Sequence, residues 1–264
     1  DDDSGRVLRA AMKDAGIETH LDLSGGASSL AEIFVDHEGE RAIYMAAGAT
    51  AETTAAHVRE DHSEFIARGL RLTTEVSQLP LDATLEALRV AHEHGLATVV
   101  DLDVLPSDAI KGLGDQSTLN AVLREADLLK PTTLAARELF PEIGSLPDLV
   151  SAIRNEYGIS TIVLTDGENG SLLGDAAGNR WVVAYSIPKV VDSTGAGDAF
   201  FGGFLAGEAL GLDLEAAAKL GNACGAACVE QMGAFPEAAD ALRERALELY
   251  DGPEPSHELW KELT

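Results

Sequence analysis

Two short apolar runs, each preceded by a helical segment, constrain the fold of this chain more than any other feature of its sequence. Residues 96–102 read LATVVDL and residues 159–165 read ISTIVLT. A continuous apolar run of this length is typical of a strand that is covered on both faces. The helix before each run is expected to end at Gly95 or Gly158. This alternation predicts an α/β fold with a mostly parallel sheet between two layers of helices.

Other segments predict the remaining elements. Residues 31–36 and 40–45 are two β-type runs, and we interpret them as a hairpin that forms part of a small β lid, to which residues 31–45 belong. No linker divides the chain, so residues 1–264 are expected to form a single domain. The further predicted elements are helices at 4–15, 119–126, Thr133–Leu139, 147–157, 196–210, 214–231 and 236–250, strands at 70–74 and 127–130, and a second hairpin at 170–173 and 181–185.

The charge of the chain excludes several classes of function. Lys and Arg total 19 against 45 for Asp and Glu, which gives a net charge of −26. A protein that binds nucleic acid or an anionic membrane needs cationic surface, so neither is expected as a partner. The 2 cysteines exclude a disulfide scaffold, and no run approaches the roughly 18 apolar residues of a membrane helix. We expect a cytoplasmic protein that acts on a small molecule.

The carboxylates are spread along the whole chain, whereas lysine is scarce. Such a dispersed acidic surface predicts adaptation to a high-salt cytoplasm, because salt screens the repulsion between the carboxylates. The alternative is an ordinary acidic protein.

The segment DSTGAGDAF at residues 192–200 carries the most chemical information. Gly195 and Gly197 allow the backbone to approach a ligand closely, because neither has a Cβ atom. The first amides of the helix predicted to begin here have no partner within the helix, and the helix dipole adds positive potential, so the turn is suited to bind phosphate oxygens. Asp198 either stabilises the helix dipole or accepts a proton from an attacking hydroxyl. The loop alone leaves both readings open.

The same segment closely resembles the C-terminal signature of the ribokinase (PfkB-type) carbohydrate kinases. Residues 165–170, TDGENG, resemble the Thr-x-Gly-x-x-Gly nucleotide segment of that family. Shorter similarities to its adenine-side helix, to the Gly-Ala after that helix and to its lid lie at 221–223, 233–234, 39–41 and 48–49.

The resemblance implies a ribokinase-like three-layer α/β/α fold and phosphorylation of a sugar or sugar acid by ATP with Mg²⁺. It implies that Asp198 is the catalytic base. It also implies that residues of two segments, 165–170 and 221–223, line the nucleotide pocket. The other residues implied by the resemblance are Gly195, Ala196 and Gly197 for the anion hole, Thr165, Gly167, Gly170 and Asn222 for the nucleotide, and Asp192 and Thr194 for a monovalent cation such as K⁺. Some relatives also form homodimers through the lid.

Two departures from the family pattern leave alternatives open. Thr132 and Ala135 stand where the family has the Asn and Glu of a Lys-Pro-Asn-x-x-Glu pattern, and these help to organise magnesium and phosphate. The family's first strand and its Gly-Gly sugar loop have no counterpart in this sequence. A nucleoside or sugar-phosphate kinase of the same fold, or an inactive nucleotide-binding relative, are the alternatives. Asp101 and Asp103, at a predicted strand end, either contact magnesium-bound phosphate or cap the strand.

Overall fold

The computed structural model describes residues 2–36, 41–235 and 239–255, and within them eight strands form two sheets. The small sheet pairs two antiparallel strands, β1 (Leu30–Val35) and β2 (Arg41–Ala46). The large sheet has six strands in sequential order, which are β3 (Arg71–Glu75), β4 (Ala97–Leu102), β5 (Leu128–Pro131), β6 (Thr161–Thr165), β7 (Ser171–Asp175) and β8 (Gly178–Val182).

Strands β3 to β6 are parallel, and β7 and β8 extend the sheet as an antiparallel hairpin. The mostly parallel sheet, both buried runs and both hairpins are therefore confirmed. Because β3 to β6 run in one direction, their carboxyl ends meet at one edge of the sheet, where α/β proteins bind ligands. The register of β4 with β5 places Asp101 beside Lys130 at this edge.

The helices of the described residues are, in chain order, α1 (Asp3–Asp14), α2 (Ala55–His57), α3 (Ser63–Ile66), α4 (Leu81–Glu93), α5 (Pro106–Gly112), α6 (Gln116–Arg124), α7 (Thr133–Leu139), α8 (Leu146–Tyr157), α9 (Ala196–Ala209), α10 (Leu214–Cys228) and α11 (Ala239–Leu249). Most of these helices pack around the large sheet, whereas α11 packs on α10 and the N-terminal helix α1 buries none of its residues. A π-helical stretch, Val58–His62, joins α2 to α3.

Two apolar clusters fill the spaces between the large sheet and the helices on its two faces. On one face of the sheet, Leu129 and Ile162 pack with side chains of α4, α6, α7 and α8, such as Leu88. On the other face, Val163 packs with Phe204 of α9 and with α10. Neighbouring residues of β6 thus face opposite clusters, as the period of two in a strand requires.

Close contact between α9 and α10 fixes the helix that begins at the glycine turn. A Cβ atom on Gly203 would lie 2.6 Å from Sγ of Cys224, and one on Gly207 would lie 2.9 Å from Cα of Ala217. Glycine at these positions therefore serves close packing of the two helices. Gly202 has no such role, because a Cβ atom there would meet no described atom within 4 Å.

Some predictions need correction or fall outside the described residues. Residues 190–191 are a β-type run in the sequence but form no strand, and the amide of Val191 donates instead to the carbonyl of Val229 (2.7 Å) just after α10. Helix α5 and the helical stretch from α2 to α3 were not predicted. The lid turn at 37–40 and the start of the predicted helix at 236–238 lie outside the described residues. Among the described helices, none has both the length and the apolar character that a bilayer crossing requires.

Candidate active site

Helix α9 begins at a turn whose backbone conformation and close packing favour glycine. Gly195 is its N-cap, with φ of +80° and ψ of 0°. A Cβ atom at this position would lie 2.8 Å from Cβ and 2.9 Å from Cα of Ala234. No side chain caps the helix, and among the amides of residues 196–198 only that of Ala196 has a described acceptor, the carbonyl of Ser193 at 3.3 Å. The turn therefore has the geometry of an anion-binding site, with Ala196 and Gly197 as its first helical residues.

Asp198 lies in the first turn of α9 and is exposed to solvent. The negative charge of Asp198 interacts with that of Glu75, at the carboxyl end of β3. Partial burial, together with the charges of Asp198 and Asp103, raises the pKa of Glu75. The three carboxylates are thus close enough to interact at the carboxyl edge of the parallel strands, where α/β folds form their ligand-binding crevice. A carboxylate in this position is free to receive a proton from a bound hydroxyl.

A buried ion pair lies beneath the glycine turn. Nζ of Lys130 donates to both carboxylate oxygens of Asp101, at 2.8 and 2.6 Å, and the two side chains are 1% and 6% exposed. Burial raises the pKa of Asp101 to about 7, and the ammonium of Lys130 opposes that rise. A Cβ atom on Gly197 would lie 3.5 Å from this ammonium. The pair therefore connects strands β4 and β5 to the first turn of α9.

Asp192 organises the loop that leads into the turn. One of its carboxylate oxygens accepts from the amide of Thr194 (2.9 Å) and the other from the amide of Gly233 (2.8 Å). Both Asp192 and Thr194 are buried. The hydroxyl of Thr194 has no hydrogen-bond partner among the described residues. A buried hydroxyl beside a buried carboxylate provides oxygen ligands of the kind that a hard cation prefers.

The nucleotide-segment residues occupy the end of β6 and the turn after it. The carbonyl of Thr165 accepts from the hydroxyl of Thr133 (3.1 Å). Gly167 begins a short 3-10 turn and is exposed. Gly170 has φ of +97°, and a Cβ atom there would lie 2.2 Å from the carbonyl oxygen of Val182. The structure explains this glycine by close backbone packing.

Asn222 is buried in α10, and its side chain points back into the protein. Its amide nitrogen donates to the carbonyls of Val182 (3.0 Å) and Val183 (3.1 Å). Both bonds hold the end of β8 against α10. The side chain of Asn222 therefore fixes the position of the backbone at residues 182–183.

The two departures from the family pattern have structural roles here. Thr132 is the N-cap of α7, where its hydroxyl accepts from the amide of Ala135 (3.2 Å). Ala135 is fully buried in the core. Neither side chain supplies a carboxylate or an amide to the crevice. The described residues hold no group of three or more His, Cys, Asp or Glu side chains arranged for a metal ion.

The small sheet contacts the same edge of the large sheet. The amide nitrogen of Gln78, just after β3, donates to Sδ of Met45 in β2 (2.7 Å). Apolar side chains of this sheet are exposed, among them Phe34 at 59% and Tyr44 at 68%. The rings of these two residues pack edge to face, with centroids 5.8 Å apart.

Sequence reasoning did not anticipate the Lys130–Asp101 pair or the position of Glu75. Lys130 was noted only as the start of a motif, and Asp101 as a strand end. The available signal was one acid and one base at the ends of two buried strands. A charge in such a strand requires a partner, because an unpaired buried charge is costly.

Comparisons with known proteins agree with this architecture. The model for the pfkB family carbohydrate kinases matches residues 1–240. An uncharacterised sugar kinase of Archaeoglobus fulgidus is 32% identical over 237 residues, which cover 88% of this chain and 89% of that protein. The 2-dehydro-3-deoxygalactonokinase of Haloferax volcanii is 27% identical over 235 residues, which cover 84% of this chain and 71% of that protein.

A solved structure shows the same fold. The adenosine kinase of Sinorhizobium meliloti superposes with a TM-score of 0.81 at 26% identity, covering 94% of this chain and 75% of that one. Fold and relatives together define a carbohydrate kinase with a ribokinase-like α/β fold. The chain belongs to the PfkB family of carbohydrate kinases.

Proposed function

We propose that this protein transfers the γ-phosphoryl group of ATP to a hydroxyl of a sugar or sugar acid. The observation that carries the proposal is the uncapped start of α9, where the Gly195 turn and the exposed carboxylate of Asp198 lie within one helical turn. Phosphoryl transfer needs donors for the phosphoryl oxygens and a group that orients the attacking hydroxyl. One short segment of this chain supplies both.

The residues of the turn have distinct roles in this proposal. Asp198 accepts the proton of the sugar hydroxyl while the oxygen of that hydroxyl attacks the γ-phosphorus of ATP and ADP leaves. The amides at Gly195, Ala196 and Gly197 hold the negative charge that builds on the phosphoryl oxygens. Removal of one such donor typically costs about 3–4 kcal/mol of transition-state stabilisation. The buried packing of α9 against α10 keeps the turn in place before substrate binds.

The nucleotide is proposed to lie along the turn after β6, at Thr165 and Gly167, with Gly170 and Asn222 setting the backbone around it. Mg²⁺ bound with ATP would neutralise part of the phosphate charge. Because Thr132 and Ala135 supply no metal ligands, the ion would be held chiefly by phosphate oxygens and water, as Mg²⁺ commonly is.

We propose a monovalent cation site for K⁺ at the loop before α9. Its support is the buried carboxylate of Asp192 and the hydroxyl of Thr194, which has no partner among the described residues. A cation there would complete the oxygen environment of the loop. Melting curves in KCl and in choline chloride at equal ionic strength would test it, since only K⁺ is small enough to enter. Equal melting temperatures in the two salts would contradict the site.

The charge of the crevice favours an uncharged sugar. Glu75, Asp103 and Asp198 place interacting negative charges at this edge of the sheet, and the buried Lys130 is already paired with Asp101. A second phosphate on the substrate would meet this negative charge. A neutral sugar is therefore the preferred substrate, ahead of a sugar phosphate. A keto-deoxy sugar acid is the second candidate, which the Haloferax volcanii relative favours.

A panel of acceptors tests the proposal. ADP release would be measured with Mg-ATP in KCl for D-ribose, D-fructose, 2-keto-3-deoxygluconate, adenosine and fructose 6-phosphate. We expect turnover with a sugar or the sugar acid. Turnover confined to adenosine or to fructose 6-phosphate would contradict the substrate class. ATP binding with no turnover on a wide panel would favour the inactive relative, for which Thr132 and Ala135 are the structural argument.

We further propose that residues 31–45 belong to a lid over a single kinase domain that spans residues 1–264, and that two copies pair through this lid. The support is the exposed apolar surface of the small sheet and its contact with Gln78 beside the crevice. Light scattering would test the pairing. The protein is expected to be a dimer that the variant Phe34→Ser/Tyr44→Ser converts to a monomer, and a monomeric wild type would contradict it.

A further inference from the structure

Lys130 is among the largest fully buried side chains of the described residues, although it carries a charge. Burial of an ammonium is costly, and an ion pair of this kind is often no more stable than an apolar pair of similar volume. Stability alone therefore does not explain why a lysine and Asp101 occupy these two strand ends. Their position relative to α9 offers a reason.

The ammonium of Lys130 lies against one face of the first turns of α9. It is 3.5 Å from the position of a Cβ atom on Gly197 and 5.4 Å from the ring centroid of Phe201. Residues four apart lie above one another on a helix, so both contacts are on the same face. No other described atom outside the helix's own backbone and the chain neighbours lies within 4 Å of that Cβ position. The ammonium is thus the part of the pair that faces the turn.

Because Gly197 has no side chain, no carbon atom lies between the ammonium of Lys130 and the backbone of the turn. At the start of a helix, the dipole already provides positive potential. A nearby ammonium that is shielded from water adds to that potential more strongly than an exposed one would. Asp101 holds the ammonium in place through two hydrogen bonds.

We propose that Lys130 is an electrostatic positioning residue for phosphoryl transfer, whose ammonium, anchored by Asp101, supports the charge on the phosphoryl group from beneath Gly197. This inference rests on the proposed kinase function. Lys130 does not touch the substrate, because its side chain is only 1% exposed.

The test neutralises the pair while keeping a hydrogen bond, in the variant Lys130→Gln/Asp101→Asn. The matched control is Arg71→Gln/Glu208→Gln, which neutralises a partly buried pair (2.6 Å) that joins the last turn of α9 to β3. We expect the first variant to lose at least tenfold in kcat with a KM for ATP within threefold of wild type. We expect the control to keep the wild-type kcat.

A binding measurement separates an electrostatic role from a structural one. Affinity for Mg-ADP should stay within threefold, whereas affinity for Mg-ADP with aluminium fluoride, which imitates the transferring group, should fall at least tenfold. A neutral pair that keeps kcat and aluminium fluoride affinity within twofold of wild type would overturn the inference.

A second variant covers the case in which the neutral pair does not fold. Gly197→Ala places a methyl group at ordinary contact distance over the ammonium and leaves the pair intact. It should melt at or above the wild-type temperature, because alanine favours a helix, and should lose at least tenfold in kcat. Wild-type kcat in this variant would also overturn the inference. A wild-type protein without transfer to any acceptor would instead refute the proposed function.

Discussion

A Cβ atom added to Gly195 would lie 2.8 Å from the Cβ atom of Ala234, which is closer than two side chains can approach. The turn before α9 therefore packs tightly against the loop that follows α10. Its φ of +80° adds a second requirement for glycine, because a left-handed conformation costs other residues about 1–2 kcal/mol.

We predict that Gly195→Ala loses stability and at least tenfold in kcat, because the turn must move away from Ala234. The matched control is Gly211→Ala, which has a similar φ of +84° but open space around its Cβ position. This control should lose only the conformational cost and keep its turnover. Thermal unfolding and ADP release would measure both effects, and equal turnover in the two variants would contradict the account.

The two hydrogen bonds from Asn222 to the end of β8 lead to a second prediction. Asn222→Leu leaves the carbonyls of Val182 and Val183 without these donors, so we expect a loss of about 1–3 kcal/mol. The KM for ATP should rise because the backbone at the proposed nucleotide pocket shifts.

Asn179→Leu is the matched control for this variant. The Asn179 amide also makes two bonds, to the carbonyl of Pro147 (2.7 Å) and the hydroxyl of Ser151 (2.8 Å), but it is exposed. Water replaces such bonds, so the control should lose less stability and keep its KM for ATP. Equal losses in urea unfolding would show that burial of Asn222 has no special importance.

The net charge of −26 predicts a strong dependence of stability on salt. Repulsion between the dispersed carboxylates destabilises the compact state at low ionic strength, and added ions screen it. The melting temperature should therefore rise from low salt to molar KCl. A sucrose series serves as a control for nonspecific solute effects. A flat or falling melting temperature in KCl would identify an ordinary acidic protein.

The buried carboxyl of Asp101 predicts a dependence of stability on pH. Burial raises its pKa to about 7, whereas an unfolded aspartate titrates near about 3.9. The folded state thus holds the extra proton between these values. The contribution of this group is complete below the unfolded pKa, and it declines as pH rises towards the folded pKa.

Asp101→Asn removes this proton from the folded state. Between pH 5 and pH 7, the free energy of unfolding should fall less steeply with pH in the variant than in the wild type. The difference between the two slopes should correspond to the release of up to about one proton on unfolding. Urea unfolding at half-unit steps of pH would measure the two slopes. Parallel profiles would show that Asp101 stays ionised throughout this range.

Periodicity in the sequence was sufficient for the elements that form the core. The two apolar runs became β4 and β6. The short helix α5 was missed although Pro106 begins it, because seven residues carry little periodicity. Residues 190–191 looked like a strand, but the carbonyl of Val229 takes the place of a neighbouring strand.

The charged contacts at the crevice were harder to predict. Asp198 and the glycine turn are adjacent in sequence, so a local motif was enough to place them together. Lys130 and Asp101 are brought together only by the register of β4 with β5, and Glu75 comes from a third strand. No local pattern encodes such long-range pairing, so the charge beneath the turn emerged only from the fold.

The most direct test of the account is the turnover of Asp198→Asn, measured with the acceptor that the panel identifies. Asp240→Asn is the control, because Asp240 also lies in the first turn of a helix, α11, and is 83% exposed. Both variants should fold and bind ATP like the wild type. The account predicts a loss of about 10²–10⁴ in kcat for Asp198→Asn alone, the usual contribution of a positioned base. A loss of less than about tenfold would contradict it.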